Sequence, residues 1–187
     1  MNIWHRADPS RITPSDFLAC IEISKGSKNK YELDKYSGAL ILDRVLYTST
    51  HYPQNYGFIP RTYAGDGDPL DVLVICSESI VPLALVECYP IGMLEMTDSG
   101  AVDTKIIAIA KNDPVFNSFQ DIKQVPDHIL KEIQHFFKVY KELEGKETVV
   151  DQIHGKAIAM EVIEACIKAY EKKFPNKNYD YKVKQNN

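Results

Sequence analysis

The stretch Gly65-Asp66-Gly67-Asp68-Pro69-Leu70-Asp71 crowds three carboxylates into six positions beside two glycines and a proline. Pro69 fixes its own φ and pushes Asp68 towards extended geometry. In an extended chain residues i and i+2 point the same way, so Asp66 and Asp68 are expected on one side. Two carboxylates about 4 Å apart repel by roughly 4 kcal/mol at an effective dielectric near 20. Such a cluster needs cations, a shared proton, or solvent between the groups. Carboxylate oxygens are hard ligands that suit Mg²⁺, Ca²⁺ or Mn²⁺. Taken alone, Asp-x-Asp is a weak signal, and its ordinary alternative is a solvated acidic turn. A calcium EF-hand fails in detail: Asp71 stands where glycine is needed, and Ser77 where glutamate is needed.

Other groups could join this chemistry. In Thr97-Asp98-Ser99-Gly100-Ala101-Val102-Asp103-Thr104-Lys105 two carboxylates flank a turn and a lysine follows. On a strand Asp103 and Lys105 share a face, which would put a metal ligand beside a phosphate-binding cation. The plainer alternative is a hairpin with a surface ion pair. Glu22, Lys30, Glu32 and Arg44 each sit among apolar strand residues and could line one sheet face. The polar side of a half-buried antiparallel sheet is the simpler account of any one of them. Tyr52 and Tyr56 precede the acidic loop, and Tyr140-Lys141 lies on a helical stripe. Tyr140 belongs by default to the core, where its hydroxyl still needs a partner. Carboxylates alone would repel an anionic substrate. With divalent metals bound the same site attracts one, and Lys and Arg hold its outer oxygens. That is the logic of metal-assisted phosphoryl transfer to water.

The elements that must position these residues follow from periodicity. Residues 1–15 read as an irregular lead-in with Pro9 and Pro14. Phe17 to Ser24, Tyr31 to Asp34 and Ala39 to Tyr47 read as strands. Residues 51–63 read as a structured loop with a short strand. Leu70 to Ile75 is an apolar run that predicts a buried strand at the foot of the acidic loop. Ile80 to Met96 predicts two strands with a bend at Pro90. Asp103 to Lys111 alternates, with Asp103, Lys105, Ile107 and Ile109 on one face. From Pro126 the period changes to that of an amphipathic helix, through Leu143 to a stop at Gly145. A second helix is expected from Lys156 to Lys173, with Ile158, Val162, Cys166, Ala169 and Tyr170 on one stripe. Residues 175–187 read as a loose, lysine-bearing tail. Strands first and helices last give the α+β class, as one β-rich domain over 1–187 with a small barrel or strongly twisted sheet.

The 187 residues are 44% hydrophobic and 26% charged, with a net charge of −4. This composition suits one domain with a real core and argues against general nucleic-acid binding. Neither an apolar signal-peptide core nor a stretch near 18 apolar residues is present, so no membrane partner is expected. Cys20, Cys76, Cys88 and Cys166 lie among apolar neighbours without any Cys-x-x-Cys pair, as in a reducing, cytoplasmic setting.

The sequence resembles the soluble family I inorganic pyrophosphatases in their compact bacterial form. Their acidic signature, Asp-x-Asp-Pro-x-Asp followed by an apolar residue, stands here as Asp66-Gly67-Asp68-Pro69-Leu70-Asp71-Val72. The likeness continues through Ile21-Glu22-Ile23, Lys30-Tyr31-Glu32-Leu33-Asp34, Asp43-Arg44, Tyr52-Pro53-Gln54-Asn55-Tyr56-Gly57-Phe58, Met96-Thr97-Asp98, Asp103-Thr104-Lys105 and His135-Phe136-Phe137-Lys138-Val139-Tyr140-Lys141. It spans roughly residues 15–170 in order and at consistent spacing.

The resemblance implies roles. Asp66, Asp71 and Asp103 would hold a first metal, and Asp71 would reach a second that shares a bridging water. Asp98 and Asp103 would take a further metal with the substrate, and Glu32 another. Asp68 would accept the proton of the bridging water. Lys30, Arg44, Tyr56, Lys105, Tyr140 and Lys141 would bind phosphate, with Glu22 and Tyr52 supporting from behind. The implied reaction is hydrolysis of pyrophosphate to two orthophosphates with about three to four Mg²⁺ per site, Mn²⁺ or Zn²⁺ being possible substitutes. The implied fold is a small five-stranded closed β-barrel with two main C-terminal helices, and the implied assembly a homohexamer. The rivals are a metal-dependent hydrolase of nucleotides or polyphosphate, for which no glycine-rich nucleotide loop or P-loop is present, and a non-catalytic barrel binding single strands.

Overall fold

A computed structural model describes residues 2–98 and 100–176. Lys177, Lys182 and Lys184 of the expected tail, and Ser99 of the expected turn, lie outside the described residues.

The strands are β1 (Phe17–Ile23), β2 (Asn29–Leu33), β3 (Leu40–Val45), β4 (Asn55–Phe58), β5 (Asp71–Ile75), β6 (Leu85–Asp98), β7 (Ala101–Val102), β8 (Lys105–Ala110) and β9 (Thr148–Gly155). The helices are α1 (Ile3–Arg6), α2 (Asp127–Val139) and α3 (Lys156–Lys173). The expected lead-in is partly ordered as α1 because the Asn2 side chain accepts the Trp4 N–H, supplying one of the bonds that a helix start lacks.

Strand pairings run in a ring: β1 with β4, β4 with β5, β5 with β8, β8 with β6, and β6 back to β1. Among the described residues, only β5 and β8 pair in parallel. The ring departs from the regular closed barrel of the expectation. Register shifts interrupt β1 at Ile21/Ile23 and β6 at Pro90/Gly92, and β6 runs on past the ring to pair with β7 and β9. Strands β2 and β3 form a separate hairpin.

Two apolar clusters cover the two faces of the central strands. Leu73, Ile75, Ile107 and Ile109 pack with Ile133, Phe136 and Phe137 of α2. Val72, Val74, Ile106 and Ala108 pack with Ala159 and Ile163 of α3. The predicted parity of β8 holds, but its other face is apolar too, so the strand is buried throughout. Gly57 lets β4 approach β1: a Cβ there would stand 1.9 Å from the Cys20 carbonyl oxygen.

Several expectations change. Residues 85–98 form one strand, because the bulge at Pro90/Gly92 absorbs the proline without ending the pairing. Helix α2 stops at Val139; a 3₁₀ turn at Glu142–Glu144 follows, with Gly145 at φ 67° and Leu143 66% exposed. The buried stripe of α3 is Ala159, Ile163 and Tyr170, while Ile158 is exposed. Strand β9 had no predicted counterpart. Cys20 and Cys88 are buried, whereas Cys76 and Cys166 are only partly so. No described helix is long and apolar enough to cross a membrane.

Candidate active site

The acidic loop is shaped by its own turn chemistry. Gly67 takes φ 88°, a left-handed conformation suited to glycine. Its N–H donates to Ala64 O at 3.1 Å, Ala64 N–H donates to Asp68 O at 2.7 Å, and Asp68 N–H donates to Asp66 Oδ1 at 3.0 Å. Asp66 and Asp68 do face one cleft, but through this tight turn rather than an extended chain.

The cleft measures about 220 Å³. Asp66, Asp68, Asp71, Asp98, Asp103 and Glu32 line it together with Lys30, Tyr56, Lys105, Tyr140 and Lys141. Glu22, expected behind the site, also forms part of its wall. Two candidates do not line it. Tyr52 is buried behind, with its ring 5.3 Å from that of Tyr56 and 4.7 Å from that of Phe136. Arg44 is drawn aside by acids: its Nη1 donates to Asp43 Oδ2 at 2.5 Å and its Nε to Glu144 Oε1 at 2.8 Å. Its Nη2 is buried without a hydrogen-bond partner among the described residues.

The parallel register of β5 and β8 sets Asp71 opposite Lys105. The Lys105 ammonium bonds to Asp71 and to Asp103 Oδ1, the latter at 2.5 Å, and lies 5.7 Å above the Tyr56 ring. Lys105 is 3% exposed. Burial alone would lower its pKa; the two carboxylates outweigh that and raise it, so it stays charged. Burial raises the Asp103 carboxyl, with Lys105 opposing. Burial, then the charge of Asp103, raises Asp66. Glu22 accepts the Leu33 N–H at 2.6 Å, and burial, reinforced by Asp71, pushes its carboxyl up to about 8. Burial also pushes the Tyr56 and Tyr140 hydroxyls up, so both remain donors at neutral pH.

Lys141 pairs with Asp98, Lys30 with Glu32 and, at 3.2 Å, with Asp43, and Lys35 with Asp68. Among the described residues no three His, Cys, Asp or Glu side chains converge in a ready metal cage. Ammonium groups stand between the carboxylates instead. The donor set is nonetheless hard oxygen throughout, and it already balances cations, so it fits Mg²⁺-type ions once the lysines yield.

Sequence reasoning missed Lys35 and Trp4 as parts of the cleft. Lys35 sits one residue past the matched stretch ending at Asp34, with no pattern to mark it. Trp4 reaches the cleft only through the docking of α1, which no local signal announces.

Residues 19–171 match the family model described as inorganic pyrophosphatase. The chain is 46% identical over 172 residues to a protein named soluble inorganic pyrophosphatase 2 from Chlamydomonas reinhardtii, covering 91% of this chain and 89% of that one. It is 41% identical over 172 residues to an inorganic pyrophosphatase of Picrophilus torridus, covering 92% and 97%. Among solved structures, the inorganic pyrophosphatase of Helicobacter pylori superposes with a TM-score of 0.83 at 43% identity, covering 86% of this chain and 96% of that one. With a family match across most of its length and relatives this similar over nearly all of it, the chain belongs to the inorganic pyrophosphatase family.

Proposed function

We propose that this chain hydrolyses inorganic pyrophosphate to two orthophosphates in a Mg²⁺-dependent reaction. The observation that carries the reading is one cleft in which carboxylates and ammonium groups alternate, with Lys105 held between Asp71 and Asp103. Asp66, Asp71, Asp98, Asp103 and Glu32 would hold the metal ions, about three to four per site in the full reading. When bound, Mg²⁺ makes water a better nucleophile and neutralises phosphate charge.

The chain's own residues do the rest. Lys30, Lys105 and Lys141 bind the outer phosphate oxygens as cations, and Tyr56 and Tyr140 as hydroxyl donors. Arg44 joins them by exchanging an acidic partner for phosphate. Asp68 accepts a proton as water attacks one phosphorus; the bond to the bridging oxygen breaks, and orthophosphate leaves. Glu22 and Tyr52 hold the walls. Mn²⁺ or Zn²⁺ are possible substitutes for Mg²⁺. We also read the chain as a single domain whose strand ring serves as the closed barrel, working as a homohexamer in the cytoplasm, away from membranes and nucleic acid.

Phosphate release from pyrophosphate, measured with Mg²⁺, with EDTA, and with ATP in competition, tests this reading. Release that needs Mg²⁺ and spares ATP is expected. No release from folded protein would refute it, and preferred release from ATP would move the substrate to nucleotides.

A further inference from the structure

The acidic loop is tied at its root. Thr62 Oγ1 accepts the Leu70 N–H at 2.8 Å and donates to Ile59 O at 2.6 Å. Ile59 N–H donates to Leu70 O at 2.9 Å. From the other side Trp4 Nε1 donates to Thr62 O at 2.8 Å, and Trp4 O accepts the Arg61 N–H at 2.9 Å. Arg61 takes φ 58°, a left-handed conformation that a bulky residue adopts only when its surroundings impose it. Helix α1, more than fifty residues earlier, thus grips two consecutive residues at the base of the loop. Trp4 is 4% exposed and stacks on His5 at 4.7 Å, with Phe174 edge-on at 5.4 Å. It also forms part of the cleft wall that Asp66 and Asp68 line.

We propose that Trp4 is a positioning residue that holds the acidic loop in its cation-binding arrangement. This rests on the metal-dependent reading above. Loss of the indole N–H leaves the Thr62 carbonyl without that donor and loosens the root from which Asp66 and Asp71 project. The cost falls on cation affinity, because the bond lies at the root and carries no proton in the reaction.

Trp4 is the sole tryptophan, so the emission of the intact chain reports on it. Titrating wild type with Mg²⁺ alone is expected to change that emission, saturating together with the Mg²⁺ dependence of pyrophosphate hydrolysis. Trp4→Phe keeps an aromatic ring and removes the donor. Its Mg²⁺ dissociation constant, by calorimetry, should rise about threefold to tenfold, the worth of one hydrogen bond. Its kcat at saturating Mg²⁺ should fall by a smaller factor than its Mg²⁺ affinity, since bound cations restore the loop. Unchanged Mg²⁺ affinity in folded Trp4→Phe overturns the proposal. If that variant does not fold, the wild-type titration decides: flat emission in protein that hydrolyses pyrophosphate overturns the clamp alone. Wild type that neither binds Mg²⁺ nor hydrolyses pyrophosphate overturns the metal reading along with it.

Discussion

At Asp68 the carboxylate is paired with Lys35, while its backbone N–H is spent on Asp66. Asp68→Asn keeps the size and polarity of the side chain but cannot take up a proton at neutral pH. Steady-state kinetics should show kcat reduced about 10²- to 10⁴-fold with KM little changed; wild-type turnover would refute the role. Asp71, proposed as a metal ligand, faces Lys105 across the parallel pair of strands. Asp71→Ala should weaken Mg²⁺ binding as well as rate, read as a higher Mg²⁺ concentration for half-maximal activity. An unchanged Mg²⁺ curve would count against its place among the ligands. At this scale most of the residues that meet in the cleft were legible, because carboxylates packed into so short a span repel one another unless cations stand between them. Arg44 was legible by type and not by position: its guanidinium goes to Asp43 and to Glu144, the latter a hundred residues away in the chain.

The elements explain why that cluster is held rigidly. Past Asp71 and Lys105, strands β5 and β8 are apolar on both faces, and each buried Ile or Val side chain contributes about 1.5–3 kcal/mol. Gly57 leaves no room for a side chain between β4 and β1. Gly57→Ala would drive a methyl group into the Cys20 carbonyl oxygen, so the β1–β4 pair must separate. A loss of about 1–3 kcal/mol, typical of overpacking, is expected in urea unfolding; an unshifted midpoint would show that the strands can yield freely. Periodicity located β1, β3, β5, β8, α2 and α3. It missed β9, where Asp151, Gln152 and His154 break any apolar run, because β9 is made a strand by its pairing with β6.

For the molecule as a whole, Glu22 links the site to global stability. Its carboxyl titrates near 8 in the fold against an ordinary 4.5, so the neutral form is the one the fold favours. Below pH 4.5 both folded and unfolded chains hold the proton, and the contribution is fully present. It is lost as pH rises through about 8, because the unfolded chain releases the proton first. Metal-free protein in EDTA should therefore lose thermal stability between pH 5 and 8, and Glu22→Gln should flatten that slope; parallel profiles for the two proteins would reject the linkage. The proposed hexamer is checked by sedimentation equilibrium, where a monomer mass at micromolar concentration would exclude it.

The sequence by itself determined the family resemblance and the class of chemistry that it implies. Asp66-Gly67-Asp68-Pro69-Leu70-Asp71 and the lysines and tyrosines matched along the chain carry that resemblance, because side-chain type and covalent spacing are local properties. Only the tertiary structure decided which charges meet. Lys105 lies between Asp71 and Asp103, Lys35 against Asp68, Arg44 against Glu144, and Trp4 at the root of the acidic loop. Those contacts depend on strand register and on the docking of α1. Both are set by the long-range burial of apolar faces, which no short stretch of sequence records.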